Sequence, residues 1–485
     1  MAEIVLGTIT AKYVHPSLGL RYLLANMGSL RERTRLLEFT LSTPSSEIAS
    51  RILAEHPKIV GLGVYIWNAS KTLELMSLLK NQDPTLKIII GGPEVSYEFE
   101  HTELFKIADH LICGEADLKF GELCDQILRA DHSSQGLPKV FLPSTPDLEN
   151  LKFPYELYTD DDLKNRLVYV EASRGCPFGC EFCLSSRDSK VRAFALESFL
   201  SEMRSLLARG ARRFKFVDRT FNLNPKTTAS ILGFLLEYAH LGIFSHFEIV
   251  PDRVSEDLIS LVAKFPHGTL QFEVGVQTLN SEVADRIGRK QDHRSAIKNI
   301  ELLRKTSQVL LHADLIFGLP GEDTKSIADG FDQLMTIGPH ELQVGILKKL
   351  KGTSLARHDE AWGMEYSKAP PYEIMQTKLL DRRTMDRLKT FARYWELFYN
   401  RGQLNASMAA FMRASSAQGG LFRSFLCFSD WLHSVVQKTH HLSLEERLSR
   451  LGQYLLKLGI PKDEVLTLLK TDYFSVPGRK ARDLL

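Results

Sequence analysis

The chain has 485 residues, 44% of them hydrophobic and 25% charged, with a formal net charge of +2. That length accommodates two or three domains with sizeable cores, and the near-neutral balance gives no global electrostatic case for nucleic acid. The longest apolar runs, Ile59 to Trp67 and Val309 to Leu311 resuming at Leu315 to Leu319, are too short to span a bilayer. With no basic region, leader or cleavage site in Met-Ala-Glu-Ile-Val-Leu-Gly, a cytoplasmic protein without a membrane partner is expected.

Over residues 1–130, short β-branched runs alternate with amphipathic stretches of helical period, the pattern of an open parallel sheet with helices on its faces. Strands are predicted at Glu3 to Leu6, Thr34 to Glu38, Ile59 to Val64, Lys87 to Ile90 and His110 to Cys113. Ligands bind such sheets beyond the carboxyl ends of the strands, which singles out the loops Thr8 to Gly19, Tyr65 to Ser70, Gly91 to Ser96 and Gly114 to Asp117. The pair Gly91-Gly92 before Pro93 suits either close approach of backbone to a bulky ligand or a plain tight turn.

Residues 131–166 carry Pro138, Pro143, Pro146 and Pro154 and the run Asp160-Asp161-Asp162, and read as a linker. Over residues 167–360, strands predicted at Leu167 to Ala172, Phe214 to Asp218, His246 to Val250, Leu270 to Val276, Leu310 to Phe317 and Leu342 to Leu347 alternate with helical stretches. They make a partial (β/α)6 barrel, in which chemistry gathers where the strands end. The basic cluster Arg209 to Lys215 reads as a solvated helix end. Over residues 361–485 a helical domain is expected: after about residue 365 the β pattern stops and helices are predicted, among them Tyr372 to Tyr399 and Leu421 to Lys438. The stripe Phe422, Phe425, Phe428, Trp431 and Val435 reads as packing, against the open side of the barrel. The fold class is α/β: a Rossmann-like open sheet, a partial barrel and a mostly helical carboxyl-terminal domain.

Cys176, Cys180 and Cys183 fall within one loop directly after the first barrel strand. Such a loop can turn three thiolates toward one metal centre, but a closed tetrahedral site needs a fourth ligand, and no other Cys or His occurs between His132 and His240. A cubane iron-sulfur cluster held by three cysteines leaves one iron open to an exogenous ligand. A zinc site completed by Cys113, Cys124 or Cys427 is the competing reading, and would make a non-catalytic binding protein. Six cysteines in 485 residues are too sparse for a disulfide framework.

The spacing Cys176-x-x-x-Cys180-x-Phe182-Cys183, with an aromatic residue before the last Cys, resembles the cluster motif of the radical SAM superfamily. The resemblance implies a 4Fe-4S cluster whose open iron chelates the amino and carboxylate groups of S-adenosylmethionine. One electron, from a donor such as flavodoxin or ferredoxin, then cleaves that molecule to a deoxyadenosyl radical. Phe216-Val217-Asp218, Glu248-Ile-Val-Pro251, Val274-Gly-Val-Gln277-Thr278 with the later Arg289, and Asp314-Leu-Ile-Phe-Gly318-Leu-Pro-Gly321 resemble further strand-end signatures of the superfamily. They imply that Phe182, Asp218, Glu248, Gln277, Arg289 and Asp314 contact S-adenosylmethionine, with Asp218 facing its ammonium group. Buried polar residues at strand ends can also serve only backbone groups, and Glu248 and Arg289 could pair with each other.

Ile59-Val-Gly-Leu-Gly-Val64, Ile89-Ile-Gly-Gly-Pro-Glu94 and the segment Cys113 to Leu123 resemble the cobalamin (vitamin B12)-binding domain of one large radical SAM class. This implies cobalamin contacts from His15, Tyr65, Trp67, Asn68, Gly91, Gly92, Pro93, Gly114 and Glu115. The Asp-x-His-x-x-Gly motif that supplies an axial histidine in many cobalamin proteins is absent: His15 has Tyr13 two places before it. The carboxyl-terminal helices resemble a domain of unassigned function found on such proteins. The expectation is a cobalamin-dependent radical SAM enzyme, most simply a methyltransferase acting on an unactivated carbon, with rearrangement, cyclisation or oxidation without methyl transfer as the alternative. Methylthiotransferases need three further amino-terminal cysteines, where only Cys113 and Cys124 stand. Nothing in the sequence names the substrate.

Overall fold

The structure is a computed structural model and describes residues 2–129, 136–415 and 419–478. Its first sheet comprises β1 (Ile4–Thr10), β2 (Thr34–Thr40), β3 (Ile59–Gly63), β4 (Lys87–Gly91), β5 (His110–Ile112) and β6 (Val140–Phe141), all parallel, in the order β2-β1-β3-β4-β5-β6. Every residue of β1 and β3 is buried, as expected of strands covered on both faces by helices. The chain reverses direction across the sheet between β1 and β3, so the loops after these strands diverge and open a crevice between them.

The linker expectation for residues 131–166 is corrected in its described part, because β6 extends the first sheet and a helix forms at Asp160–Asn165. The aspartate run is the start of that helix. Thr159 caps it reciprocally with Asp162, and acidic residues in a first turn complement the helix dipole. Asp162 also accepts from Arg21 (3.0 Å) and Arg166 (2.9 Å), while Glu38 of β2 accepts from the same two guanidinium groups at 2.9 and 2.7 Å. This buried cluster clamps the connection to the first sheet.

The second sheet begins with β7 (Val168–Val170). A two-stranded hairpin of β8 (Ser173–Arg174) and β9 (Arg192–Ala193) follows, and then β10 (Arg213–Phe216), β11 (Phe244–Ile249), β12 (Leu270–Gln277), β13 (Leu310–Phe317) and β14 (Glu341–Ile346). The order β14-β13-β12-β11-β10-β7 is parallel throughout and leaves β14 and β7 as edges, a barrel open on one side. Side chains alternate between the two faces of a strand. Phe214, Phe216, Phe247, Phe272, Val274, Leu311, Ala313 and Leu342 are buried in the main core, each fully buried large side chain contributing roughly 1.5–3 kcal/mol. The opposite face carries the polar side chains Lys215, His246, Glu248, Gln271, Glu273, His312 and Asp314, with Glu273 joined to Lys215 and His246, His246 to Gln271, and His312 to Asp314. Closed barrels are filled by branched aliphatic side chains instead.

The carboxyl-terminal helices cover the β14 edge. Trp395 Nε1 donates to Leu342 O at 3.0 Å, and Asn400 both donates to that carbonyl and accepts from Leu342 N. An open strand edge is thereby satisfied. Phe422, Phe425 and Phe428 pack with Phe331, Phe391, Phe398 and Trp395, whereas Val435 at the end of the stripe is exposed. Three expectations are corrected here. The β pattern does not stop at about residue 365, since β15 (Glu365–Tyr366) pairs antiparallel with β16 (Ile374–Gln376), and the helix expected from Tyr372 begins at Arg382, where Asp381 caps it. The Arg209 to Lys215 cluster is likewise no simple solvated helix end: Arg209 donates to the carbonyls of Tyr155, Glu156 and Tyr158, and Lys215 faces the barrel interior. Among the described residues, no helix is long and apolar enough to cross a membrane.

Candidate active site

Cys176, Cys180 and Cys183 lie between β8 and β9, beyond the carboxyl end of β7. The hairpin brackets the loop, and Cys176 N donates to Asp188 O across it at 2.9 Å. Gly175 makes this closure possible: its φ is +94°, and a Cβ there would collide with the Lys190 carbonyl. From the far side, Glu181 N donates to Ile287 O at 3.0 Å, which docks the loop on the segment leading to Arg289. Burial raises the Cys176 and Cys180 thiols above their ordinary pKa, and at Cys180 the nearby Arg289 guanidinium opposes the rise from 3.5 Å. Among the described residues, no three Cys, His, Asp or Glu side chains are gathered closely enough to hold a single metal ion. Cys113 and Cys124 are buried in the cores of the first sheet and Cys427 is exposed on the helix Leu421–Val436, so none of the three offered as a fourth zinc ligand lines the cavity beneath the loop.

That cavity, of about 170 Å³, is walled by the three cysteines together with Phe182, Glu248, Gln277, Arg289 and Asp314. Asp218 is not on its wall. It is 2% exposed and accepts from Ala172 N (3.0 Å) and Ser173 Oγ (2.6 Å), and burial pushes its pKa up to about 7. Its neighbours Arg219 and Thr220 line the cavity instead. Glu248 pairs with Arg219 at 2.9 Å rather than with Arg289, whose Nη2 donates to Gly275 O. Gln277 sits at a bulge with φ +72°, a conformation uncommon outside glycine that clusters at functional sites. Asp252 Oδ1, Arg289 Nε and Gln291 Oε1 are buried on this wall without a hydrogen bond. Leaving such atoms unpaired costs about 1–3 kcal/mol each, so the wall fits a polar ligand carrying donors and acceptors of its own, as S-adenosylmethionine does. Burial, with Glu273 and Glu248 close by, holds Asp314 above the ordinary carboxylate range despite His312 at 3.2 Å.

A larger cavity of about 730 Å³ lies at the carboxyl ends of β1, β3, β4 and β5, between the first sheet and the barrel, within the size range of cofactor sites. His15, Tyr65, Trp67, Gly91, Gly92, Gly114 and Glu115 line it. Asn68 and Pro93 do not: Asn68 is wholly buried, donating to Ile9 O and Gly63 O and accepting from Tyr65 N, so it shapes the loop rather than the wall. Gly92 has φ +110°, and a Cβ there would stand 2.5 Å from Val64 O. Only glycine lets this floor come so close to β3. Tyr65 stacks on Trp67 with ring centroids 4.5 Å apart, an extended apolar surface of the kind a large planar macrocycle fits. His15 Nδ1 lies 2.9 Å from Tyr169 Oη, and burial lowers its pKa, leaving a neutral ring at neutral pH. Tyr169, Lys215 and Arg219, which sequence reasoning missed, close the cavity from the barrel side. Arg174 ties the two halves together, reaching from β8 to Glu115 (2.8 Å), Asp117 (3.0 Å) and Glu171 (2.8 Å).

A model of the radical SAM superfamily matches residues 170–334, a model of the B12 binding domain matches residues 4–123, and a model described as a protein of unknown function, DUF4080, matches residues 360–484. TokK of Streptomyces tokunonensis, described as a cobalamin-dependent radical SAM methyltransferase, is 24% identical over 63% of this chain and 49% of its own length. The chain thus spans about half of that relative. An uncharacterised methyltransferase of Pyrococcus horikoshii is 26% identical over 64% of this chain and 71% of its own length. The solved structure of OxsB, a cobalamin-dependent S-adenosylmethionine radical enzyme with aqua-cobalamin and S-adenosylmethionine bound, superposes with a TM-score of 0.62 at 14% identity, covering 97% of this chain and 83% of that one. That likeness establishes a shared fold. With the three-cysteine loop at the mouth of a six-strand partial barrel and a B12 binding domain before it, the chain belongs to the radical SAM superfamily, in the class that carries an amino-terminal B12 binding domain.

Proposed function

We propose that this chain is a cobalamin-dependent radical SAM methyltransferase acting on an unactivated carbon, in the cytoplasm, with electrons from an external donor such as flavodoxin or ferredoxin. The observation that carries the reading is the pair of cavities meeting at Arg219, one under the three-cysteine loop and the other on the B12 binding domain. The Streptomyces and Pyrococcus relatives, both described as methyltransferases, support this outcome over a rearrangement or oxidation. When bound, the cluster and S-adenosylmethionine supply a one-electron bond cleavage and the corrinoid supplies a transferable methyl group.

The chain's own work is positioning and exclusion of water. In this proposal Cys176, Cys180 and Cys183 hold the cluster, and Phe182, Glu248, Gln277, Arg289 and Asp314 hold S-adenosylmethionine. The corrinoid is held by His15, Tyr65, Trp67, Gly91, Gly92, Gly114 and Glu115. The corresponding domains are residues 1–130, 167–360 and 361–485, with β6 from the segment between the first two extending the first sheet. His15 lines the larger cavity with its Nδ1 held 2.9 Å from Tyr169 Oη. Anaerobic reconstitution with S-adenosylmethionine, hydroxocobalamin and reductant tests the proposal: deoxyadenosine and adenosylhomocysteine should both form, with cobalamin retained on the protein. Failure to cleave S-adenosylmethionine would refute it, and deoxyadenosine without adenosylhomocysteine would remove the methyl transfer.

A further inference from the structure

Among the described residues, Arg219 alone lines both cavities. Its placement follows from the chain. Beyond β10, side chains continue to alternate, so Phe216 and Asp218 turn into the core while Lys215, Val217 and Arg219 line the larger cavity. Asp218, fixed by Ala172 N and Ser173 Oγ, anchors the backbone immediately beneath Arg219.

The side chain is 52% exposed and lines both cavities. Only Nη1 is engaged, by Glu248 Oε1 (2.9 Å) and Oε2 (3.2 Å). The Nε and Nη2 edge keeps its donors, and that edge matches the two oxygens of a carboxylate. The same molecule uses it elsewhere, where Arg387 grips Asp430 through Nε (3.1 Å) and Nη2 (2.6 Å). Lys215, four positions earlier on the same cavity wall, lies 3.8 Å from Glu273, a loose pair that leaves its ammonium donors largely unspent. Glu115, Asp117 and Glu171, the carboxylates on that wall, are all engaged by Arg174. The junction therefore offers positive donors without a free acceptor of its own on that side.

On the reading that the substrate lies where the two cavities meet, we infer that Arg219, backed by Lys215, binds a carboxylate of the substrate and so sets which carbon faces the reaction. The guanidinium is a substrate-binding and specificity-determining group, and Glu248 positions it.

The test uses the full chain carrying its cluster, S-adenosylmethionine and hydroxocobalamin, and three probes of one shape: 3-phenylpropionate, 3-phenylpropionamide and 3-phenylpropylamine, titrated by ligand-observed NMR. The acid should bind about ten-fold more tightly than the amide, as expected for a charge-assisted pair, and the amine no better than the amide. In Arg219→Met the preference for the acid should vanish, and Arg219→Lys should recover part of it. Equal binding of acid and amide to the unaltered protein, or an acid preference that survives Arg219→Met, overturns the inference. The unaltered protein is scored first, so misfolding of a variant does not mask the answer. Equilibrium dialysis separates the two possible sources of the carboxylate: a ten-fold loss of S-adenosylmethionine affinity in Arg219→Met assigns the guanidinium to that cofactor and also overturns the inference. Failure of the unaltered protein to cleave S-adenosylmethionine counts against the proposed function, whereas the acid-over-amide ratio is read without turnover.

Discussion

The two cavities are built by opposite strategies. The smaller one is assembled around a single loop, whose three thiols are fixed by a hairpin, a glycine and one backbone contact to Ile287. The larger one has no dominant segment. Its wall is shared among four strand ends of the first sheet and side chains of the barrel, joined through Arg174 and Arg219. A group bonded covalently to its ligands tolerates little displacement of them, whereas a large ligand held by surface area can spread its contacts over many residues. Damage to the first cavity should accordingly be all-or-none and damage to the second graded.

The largest expected effect is that of Cys180→Ala. Iron and sulfide content and S-adenosylmethionine cleavage should fall to background, while hydroxocobalamin binding, measured by absorbance after gel filtration, should persist. Joint loss of both cofactors would break the separation of the two cavities. Next in size is Arg174→Met, which strands Asp117 and Glu171 without their cation; breaking a buried network of this kind costs about 3–5 kcal/mol. Chemical denaturation measures that loss, and both cofactor sites should weaken because this residue joins them. Gly92→Ala should be milder, at about 1–3 kcal/mol for a strained left-handed residue, with lower hydroxocobalamin affinity and normal iron content.

The smallest effect is a change of slope. Asp218 is raised by burial from its ordinary 3.8 to about 7, so the folded state holds its proton more tightly than the unfolded chain. Its contribution to stability is complete below about pH 4 and is lost as pH rises toward 7. Asp218→Asn should flatten the decline of unfolding free energy across that window. An unchanged slope would mean that Asp218 is not the buried anchor described.

The contrast between the cavities also explains what could be read from the sequence. Strand positions were legible because aliphatic runs buried on both faces have no other stable home, and the cysteine loop because its chemistry lies within one short segment. Asp218 misled because a motif was matched by residue type where the period of the strand decides direction. Counting in twos from Phe214 and Phe216 puts Asp218 in the core, and counting from Lys215 and Val217 puts Arg219 in the cavity. The same count would have found Tyr169 and the polar interior of the barrel. Asn68 and Pro93 were beyond such counting, since loop dihedrals decide whether a side chain reaches the wall or supports it from behind. The run Asp160-Asp161-Asp162 looked like loop because acidic clusters are common there, yet Thr159 before it supplies half of a capping box.

The central claim is that three cysteines hold a cluster with one open iron that takes S-adenosylmethionine. Electron paramagnetic resonance of the anaerobically reconstituted, dithionite-reduced protein tests it directly. Addition of S-adenosylmethionine should shift the signal of the reduced 4Fe-4S cluster, because a new ligand joins the iron that no cysteine holds. A signal that is unchanged by S-adenosylmethionine, or a protein that takes up zinc and no iron, would contradict the account.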